Sequence, residues 1–170
     1  MDGKWLALFC LVAPLSASTF AAPQDVANII NEKIPEAECR VENGHVYCKY
    51  DYIPIDIVIS NGEELAAFVN VDVKANYPIV DAWVLISRIK GNEPGIFSKD
   101  NEQSSVQLIQ FNCSKNTAIT LQNYSYSGRY MTGRPMKGIK IFPYLTQCCI
   151  PGTAVAIAKK ELCSYAYKLR

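Results

Sequence analysis

The chain has 170 residues, 19% of them charged, and a net charge of +1. That length suggests one domain, and the near-neutral balance gives no global pull toward nucleic acid or an anionic membrane surface. Residues 1–22 read as a secretory signal. Lys4 supplies a basic start, Trp5 to Leu15 is an apolar run broken by Pro14, and small residues follow to Ala21-Ala22. The run is too short to span a bilayer, so cleavage after Ala21 or Ala22 is expected. Cys10 lies inside the run behind Phe9, which argues against a lipid anchor there. Removing this segment takes Lys4 and Asp2, so the charge stays at +1. No other stretch is apolar and long enough for a membrane span. Six cysteines remain: Cys39, Cys48, Cys113, Cys148, Cys149 and Cys163. An even number in an exported chain reads as disulfides in an oxidising compartment, the periplasm, cell surface or extracellular space.

Pro23 to Ile34 carries Val26, Ile29, Ile30 and Ile34 at helical spacing, with Asp25 placed to cap and Pro35 to stop it. Asn43-Gly44 then signals a tight hairpin, because both central positions of such a turn need positive φ. Its arms bring Cys39 and Cys48 together, so a local bond is expected; pairing of these two with Cys148 and Cys149 is the alternative. Ile53 to Ile59 reads as a strand despite Pro54. Glu63-Glu64 reads as a helical start that turns to strand by Phe68. In Ile79 to Ile89, Val80, Ala82, Val84 and Ile86 share one face and Trp83 and Leu85 the other: a strand partly buried on both sides.

Lys90 to Gln103 reads as a loop. Val106 to Phe111 and Ala118 to Ser127 form a hairpin turned at Ser114-Lys115-Asn116. Gly128 to Gly138 is a polar, basic loop, and Lys140 to Tyr144 a short strand. Gly152 to Leu169 reads as the C-terminal helix and carries Cys163, so a strand end (Cys113) and a helix (Cys163) can be stapled. The sum is an α+β domain: an antiparallel β-sheet of five or six strands packed by a C-terminal helix, with a short N-terminal helix.

Nothing selects a catalytic group, a cofactor or a metal. His45 stands alone beside the hairpin turn and reads as a solvated strand end. There is no zinc-ligand spacing, nucleophile elbow or phosphate-binding loop. Carboxylates Asp51, Asp56, Glu63, Glu64 and Asp72 are scattered, with no pair singled out for acid–base work. One segment suggests recognition: Tyr124, Tyr126, Arg129, Tyr130, Arg134 and Lys137 interleave aromatic and cationic side chains, the types favoured at binding hot spots. The competing reading is a solvated loop whose tyrosines cap the core.

Phe68-Val-Asn-Val-Asp72, Val80-Asp-Ala-Trp-Val84, Ser104-Ser-Val-Gln-Leu-Ile-Gln-Phe-Asn-Cys113, Tyr124-Ser-Tyr126 with Gly128, and Pro151-Gly-Thr153 through Cys163 follow one another in an order and spacing that resembles the surface-adhesin protein E family of Gram-negative bacteria. The resemblance implies a Cys113–Cys163 disulfide and an exported, non-enzymatic protein, in some members an adhesin for host extracellular-matrix proteins. The chain departs from that pattern in lacking a lipobox, in residues 23–60 with their own cysteines, and in Cys148-Cys149. The expected organisation is a signal at 1–22, a helix and cysteine hairpin at 23–60, and the protein E-like domain at 61–170. The expected function is protein binding at or near the cell surface. A periplasmic inhibitor or immunity-type protein and a periplasmic small-molecule binder are the alternatives.

Overall fold

A computed structural model describes residues 22–60, 63–90, 102–136, 145–147 and 153–168. The chain begins with helix α1 (Pro23–Lys33), which has Pro23 at its start, Asp25 in its first turn and Lys33 in its last. Those charges suit the two ends of the helix dipole. Asp25 lies inside the helix; the cap position is Ala22, with no side-chain cap bond. A short hairpin follows, β1 (Arg40–Glu42) and β2 (His45–Tyr47). Asn43 and Gly44 take φ of 50° and 78°, the values that a tight turn of this hand demands. The strand register continues outward from Arg40 and Tyr47 to Cys39 and Cys48, which are joined by a disulfide. Asn31 clamps the hairpin to α1: its Nδ2 donates to the Cys39 carbonyl at 2.8 Å and its Oδ1 accepts from the Cys39 amide at 2.7 Å.

Eight strands then form one antiparallel sheet among the described residues. They are β3 (Tyr52–Ser60), β4 (Glu63–Asn70), β5 (Lys74–Asn76), β6 (Ile79–Lys90), β7 (Ser104–Asn112), β8 (Thr117–Tyr126), β9 (Pro135–Met136) and β10 (Leu145–Gln147). The order is β10-β8-β7-β6-β4-β3, with β5 also paired to β6 and β9 to β8. The α+β class is as the sequence implies. The strand count is higher because three pieces of two or three residues, β5, β9 and β10, extend a sheet carried by five long strands. Glu63-Glu64 is strand from its first residue, so the expected helical start is corrected. The expected strand at 140–144 lies outside the described residues, as do most of the loop 90–103 and Cys148-Cys149. The boundary expected at residue 60 falls between β3 and β4, which pair from Tyr52–Asn70 to Ser60–Glu63.

Both faces of the sheet are covered, each by a different end of the chain. Val58, Leu65, Val69, Val84, Ile86, Ile109 and Phe111 pack under helix α2 (Ala154–Lys168), which turns Ala154, Ala158, Leu162 and Ala166 toward them. Small residues on α2 let it approach closely. A disulfide joins Cys163 on this helix to Cys113 at the end of β7. On the opposite face, Ala66, Phe68, Leu85 and Val106 pack with Ala27, Ile30 and Ile34 of the N-terminal segment. Alternation at period two gives β4 and β6 an apolar set for each face.

The second core closes around Tyr130. It sits in a 3-10 turn, Arg129–Met131, with left-handed φ 48°. Its amide donates to Ser87 Oγ at 3.0 Å and its hydroxyl donates to the Lys49 carbonyl at 2.9 Å. Its ring meets Phe68 and Tyr52 edge-on, at 5.0 and 6.3 Å. Gly128 opens this turn; a Cβ there would lie 2.3 Å from Thr132 Oγ1, with the Thr132 backbone behind it. Burial pushes the Tyr52 hydroxyl up to about 12, with the Tyr126 hydroxyl adding to the rise. Burial raises Tyr130 as well, with smaller contributions from Tyr52, Tyr50 and Asp51.

A tyrosine whose native pKa is raised stabilises the fold below its unfolded value, about pH 10. Above that, the unfolded chain sheds a proton that the native chain keeps, so stability falls between about pH 10 and 12. An alkaline titration of tyrosinate absorbance should therefore show a late step that coincides with loss of structure. Ionisation of all the tyrosines near pH 10, with the fold intact, would contradict this burial.

Candidate binding face

The carboxylates fall into structural roles. Glu63 is buried and pairs with Arg88 Nη2 at 2.7 Å, both side chains at most 5% exposed. Glu64, on the other face, pairs with Lys33 of α1. Asp56 Oδ1 accepts the amide of Ile57 at 2.8 Å. His45 is half-buried on β2, in register with Glu42. Among the described residues, no group of three or more His, Cys, Asp or Glu side chains is placed to hold a metal ion.

The interleaved aromatic and cationic segment is divided by the fold. Tyr124 is 46% exposed on β8. Tyr126, two residues on, is half-buried against the second core. Arg134 is exposed and Arg129 half-exposed, and among the described residues neither makes an ion pair. Tyr130 is a correction: it is 0% exposed and belongs to the core, not to a surface. Lys137 lies outside the described residues. Arg134 is held near Tyr126 because β9 pairs Pro135 with Tyr126, and the Arg134 amide donates to Ser127 Oγ at 2.9 Å.

The structure adds neighbours to Tyr124 that composition did not mark. The pairing of β7 with β8 shifts between Leu108 and Ile109, which leaves Leu121 as an extra residue on β8, 40% exposed. A bulge of this kind bends a strand and re-aims its side chains. Beyond it, Gln122 lies in register with Leu108, and Leu108 with Trp83 of β6. Trp83 and Tyr124 meet across β7, ring centroids 6.0 Å apart and planes 32° apart. The Tyr124 hydroxyl donates to Gln122 Oε1 at 3.2 Å. In the next row, Gln110 Nε2 donates to Asp81 Oδ1 at 3.0 Å. Farther along β6 and β7, Leu85 and Val106 are buried under the N-terminal layer, whereas Trp83 and Leu108 are half-exposed.

The result is a small platform: two aromatic rings, Leu108 and a border of amides, on the part of the sheet that neither helix covers, with Leu121 exposed at the bulge next to Gln122. Arg134 stands beyond its Tyr126 end. Nothing in this arrangement is set for proton transfer; its chemistry is contact. The alternation in Ile79–Ile89 already placed Trp83 on the face of Leu85. The bulge and the limited reach of α1 left no mark in the sequence.

Such a molecule is an α+β domain whose C-terminal helix is bolted to an antiparallel sheet, with a partly open second face. A model of the surface-adhesin protein E family matches residues 59–164, and the chain belongs to that family. Two solved structures of Haemophilus influenzae protein E are similar to it. One is 16% identical, covers 76% of this chain and 90% of its own, and has a TM-score of 0.47. The other, crystal form II, is 15% identical, covers 75% and 93%, and has a TM-score of 0.48. No curated protein matches the chain. Among the described residues, no helix is long and apolar enough to cross a membrane.

Proposed function

We propose that the chain is an exported, non-enzymatic binding protein that holds another protein through the platform of Trp83, Leu108, Leu121 and Tyr124. Arg134 stands beyond the Tyr126 end of this platform, and with Arg129 and Lys137 it supplies positive charge to the interaction. The observation that carries this reading is the Trp83–Tyr124 pair, two aromatic rings in contact and left half-open on the sheet. Aromatic side chains lose little rotamer freedom on binding and anchor protein interfaces, while flanking cations steer the encounter. The partner is a host extracellular-matrix protein or a periplasmic protein, in keeping with the family's description as surface adhesins. Residues 1–22 act as the export signal, and residues 23–60 serve as a brace for the protein E-like domain from 61 to 170.

Binding of the purified, oxidised protein to immobilised matrix proteins tests this. Tyr124→Ala should weaken affinity about tenfold or more and leave the melting temperature unchanged. Replacing Arg129, Arg134 and Lys137 together with Ala should slow association with an acidic partner and flatten its salt dependence. Unaltered binding in the Tyr124 variant would assign recognition to another surface.

A further inference from the structure

The polar border of the platform narrows what it can hold. Side chains alternate between the two faces of a strand. In the register of β6, β7 and β8, Asp81 and Gln110 stand in one row of the open face. Trp83, Leu108 and Gln122 stand in the next, and Tyr124 in the row after. The polar groups are interlocked in pairs. Gln110 Nε2 donates to Asp81 Oδ1 at 3.0 Å, and the Tyr124 hydroxyl donates to Gln122 Oε1 at 3.2 Å. Each bond uses one end of an amide and leaves the other. Gln110 keeps Oε1 as an acceptor, Gln122 keeps Nε2 as a donor, and Asp81 keeps its second oxygen. Asp81 and Gln110 are half-exposed and Gln122 is exposed, so a ligand can reach them.

Charge beside the rings is balanced. Asp81 lies in register with Lys74 of β5, which is exposed. One charge of each sign gives no net pull on an ionic ligand. Bases also stack on aromatic rings, but nucleic acid needs a run of cations for its phosphates, and none borders these rings. A partner helix would bring an apolar stripe, whereas the apolar surface here is two rings and Leu108. A neutral sugar fits both parts of the platform. One face of its ring is a patch of C–H bonds made positive by neighbouring oxygens, which the negative faces of Trp and Tyr attract. Its edge is a fringe of hydroxyls, each both donor and acceptor, which a few placed polar groups can orient.

We propose that the part of the partner seated on this platform is an uncharged glycan. Sugar rings stack on Trp83 and Tyr124, and their hydroxyls bond to Asp81, Gln110 and Gln122. This rests on the platform being the binding face. The two rings lie 6.0 Å apart with planes 32° apart, close enough for one saccharide to touch both. The interlocked pairs set the border before the ligand arrives, which lowers the ordering cost of a small contact.

Trp83 is the only tryptophan after residue 22, so its fluorescence reads the site directly. The oxidised protein is titrated with neutral oligosaccharides ending in galactose, mannose or N-acetylglucosamine, and with their sialylated forms. A saturable change in emission is expected with at least one neutral class, and no tighter binding of the sialylated forms. Tyr124→Ala should weaken the contact about tenfold or more by removing a stacking ring. Gln122→Ala should weaken it several-fold, and its exposed position keeps the test sound if the Tyr124 variant fails to fold. No response to any neutral saccharide, tighter binding of sialylated ones, or full-strength binding in Gln122→Ala would overturn the proposal. A second arm separates the glycan from the platform. Matrix glycoproteins are immobilised before and after enzymatic removal of their glycans. Binding that drops with the glycans supports the proposal. Binding that survives their removal but falls in Tyr124→Ala overturns the glycan and keeps the platform as a protein-binding face. Binding that responds to neither change removes the platform as well.

Discussion

Replacing Tyr130 with Ala is expected to lower the unfolding free energy by about 3–5 kcal/mol, the range for deleting a large aromatic side chain from a core. The residue is fully enclosed, and its ring lies edge-on to Phe68 and Tyr52. Truncation removes both ring contacts and leaves a cavity beside Phe68 and Tyr52. It also orphans the Lys49 carbonyl, which now accepts the Tyr130 hydroxyl at 2.9 Å. Tyr130→Phe separates these effects. It keeps the packing and loses one hydrogen bond, so it should cost about 1–2 kcal/mol. Urea unfolding measures both. The Phe variant should bind a partner as the parent does, because the hydroxyl is inside the molecule. Parental stability in Tyr130→Ala would remove the residue from the core.

Removing the Cys113–Cys163 disulfide should be equally costly. The bond spans 50 residues. Chain-entropy reasoning for a loop of that size gives about 4 kcal/mol, against about 2.5 kcal/mol for the nine-residue separation of Cys39 and Cys48. The longer bridge also restrains α2 over the core beneath it. That helix buries mainly alanines, Leu162 and Tyr165, so it has modest apolar area with which to hold itself down. Paired Cys113→Ser and Cys163→Ser substitutions should therefore lower the melting temperature more than paired Cys39→Ser and Cys48→Ser. Calorimetry of the two double variants ranks them. The opposite order, or a change within about 1 kcal/mol for the longer bridge, would show that packing alone seats the helix.

Local chemistry was enough to read some elements. Asn43-Gly44 specified its turn because a positive φ is a property of those residues. The alternation in Ile79–Ile89 and Val106–Phe111 showed strands because a side-chain period of two survives any packing. Other elements depend on distant partners. Glu63-Glu64-Leu65-Ala66-Ala67 is rich in helix formers, yet it is strand because β3 and β6 flank it and Arg88 neutralises Glu63 from 25 positions away. Tyr130 reads as a surface residue in a polar loop. It is buried because the left-handed turn is held by Ser87 and Ser104, whose hydroxyls accept the Tyr130 and Met131 amides. The platform around Tyr124 needed both the bulge at Leu121 and knowledge of where α1 stops. Neither follows from the composition of β8.

The hydroxyl of Tyr130 reaches a carbonyl 81 positions earlier in the chain. A ribosome extends a chain by about 5–20 residues each second, so some 4–16 s separate the two partners. During that interval Ala27, Ile30 and Ile34 have emerged without Tyr130, a member of the same core. The N-terminal layer is thus made early and sealed late. A protease or holdase that surveys newborn chains would meet this helix before it is covered, and a slowly translated message would lengthen its exposure.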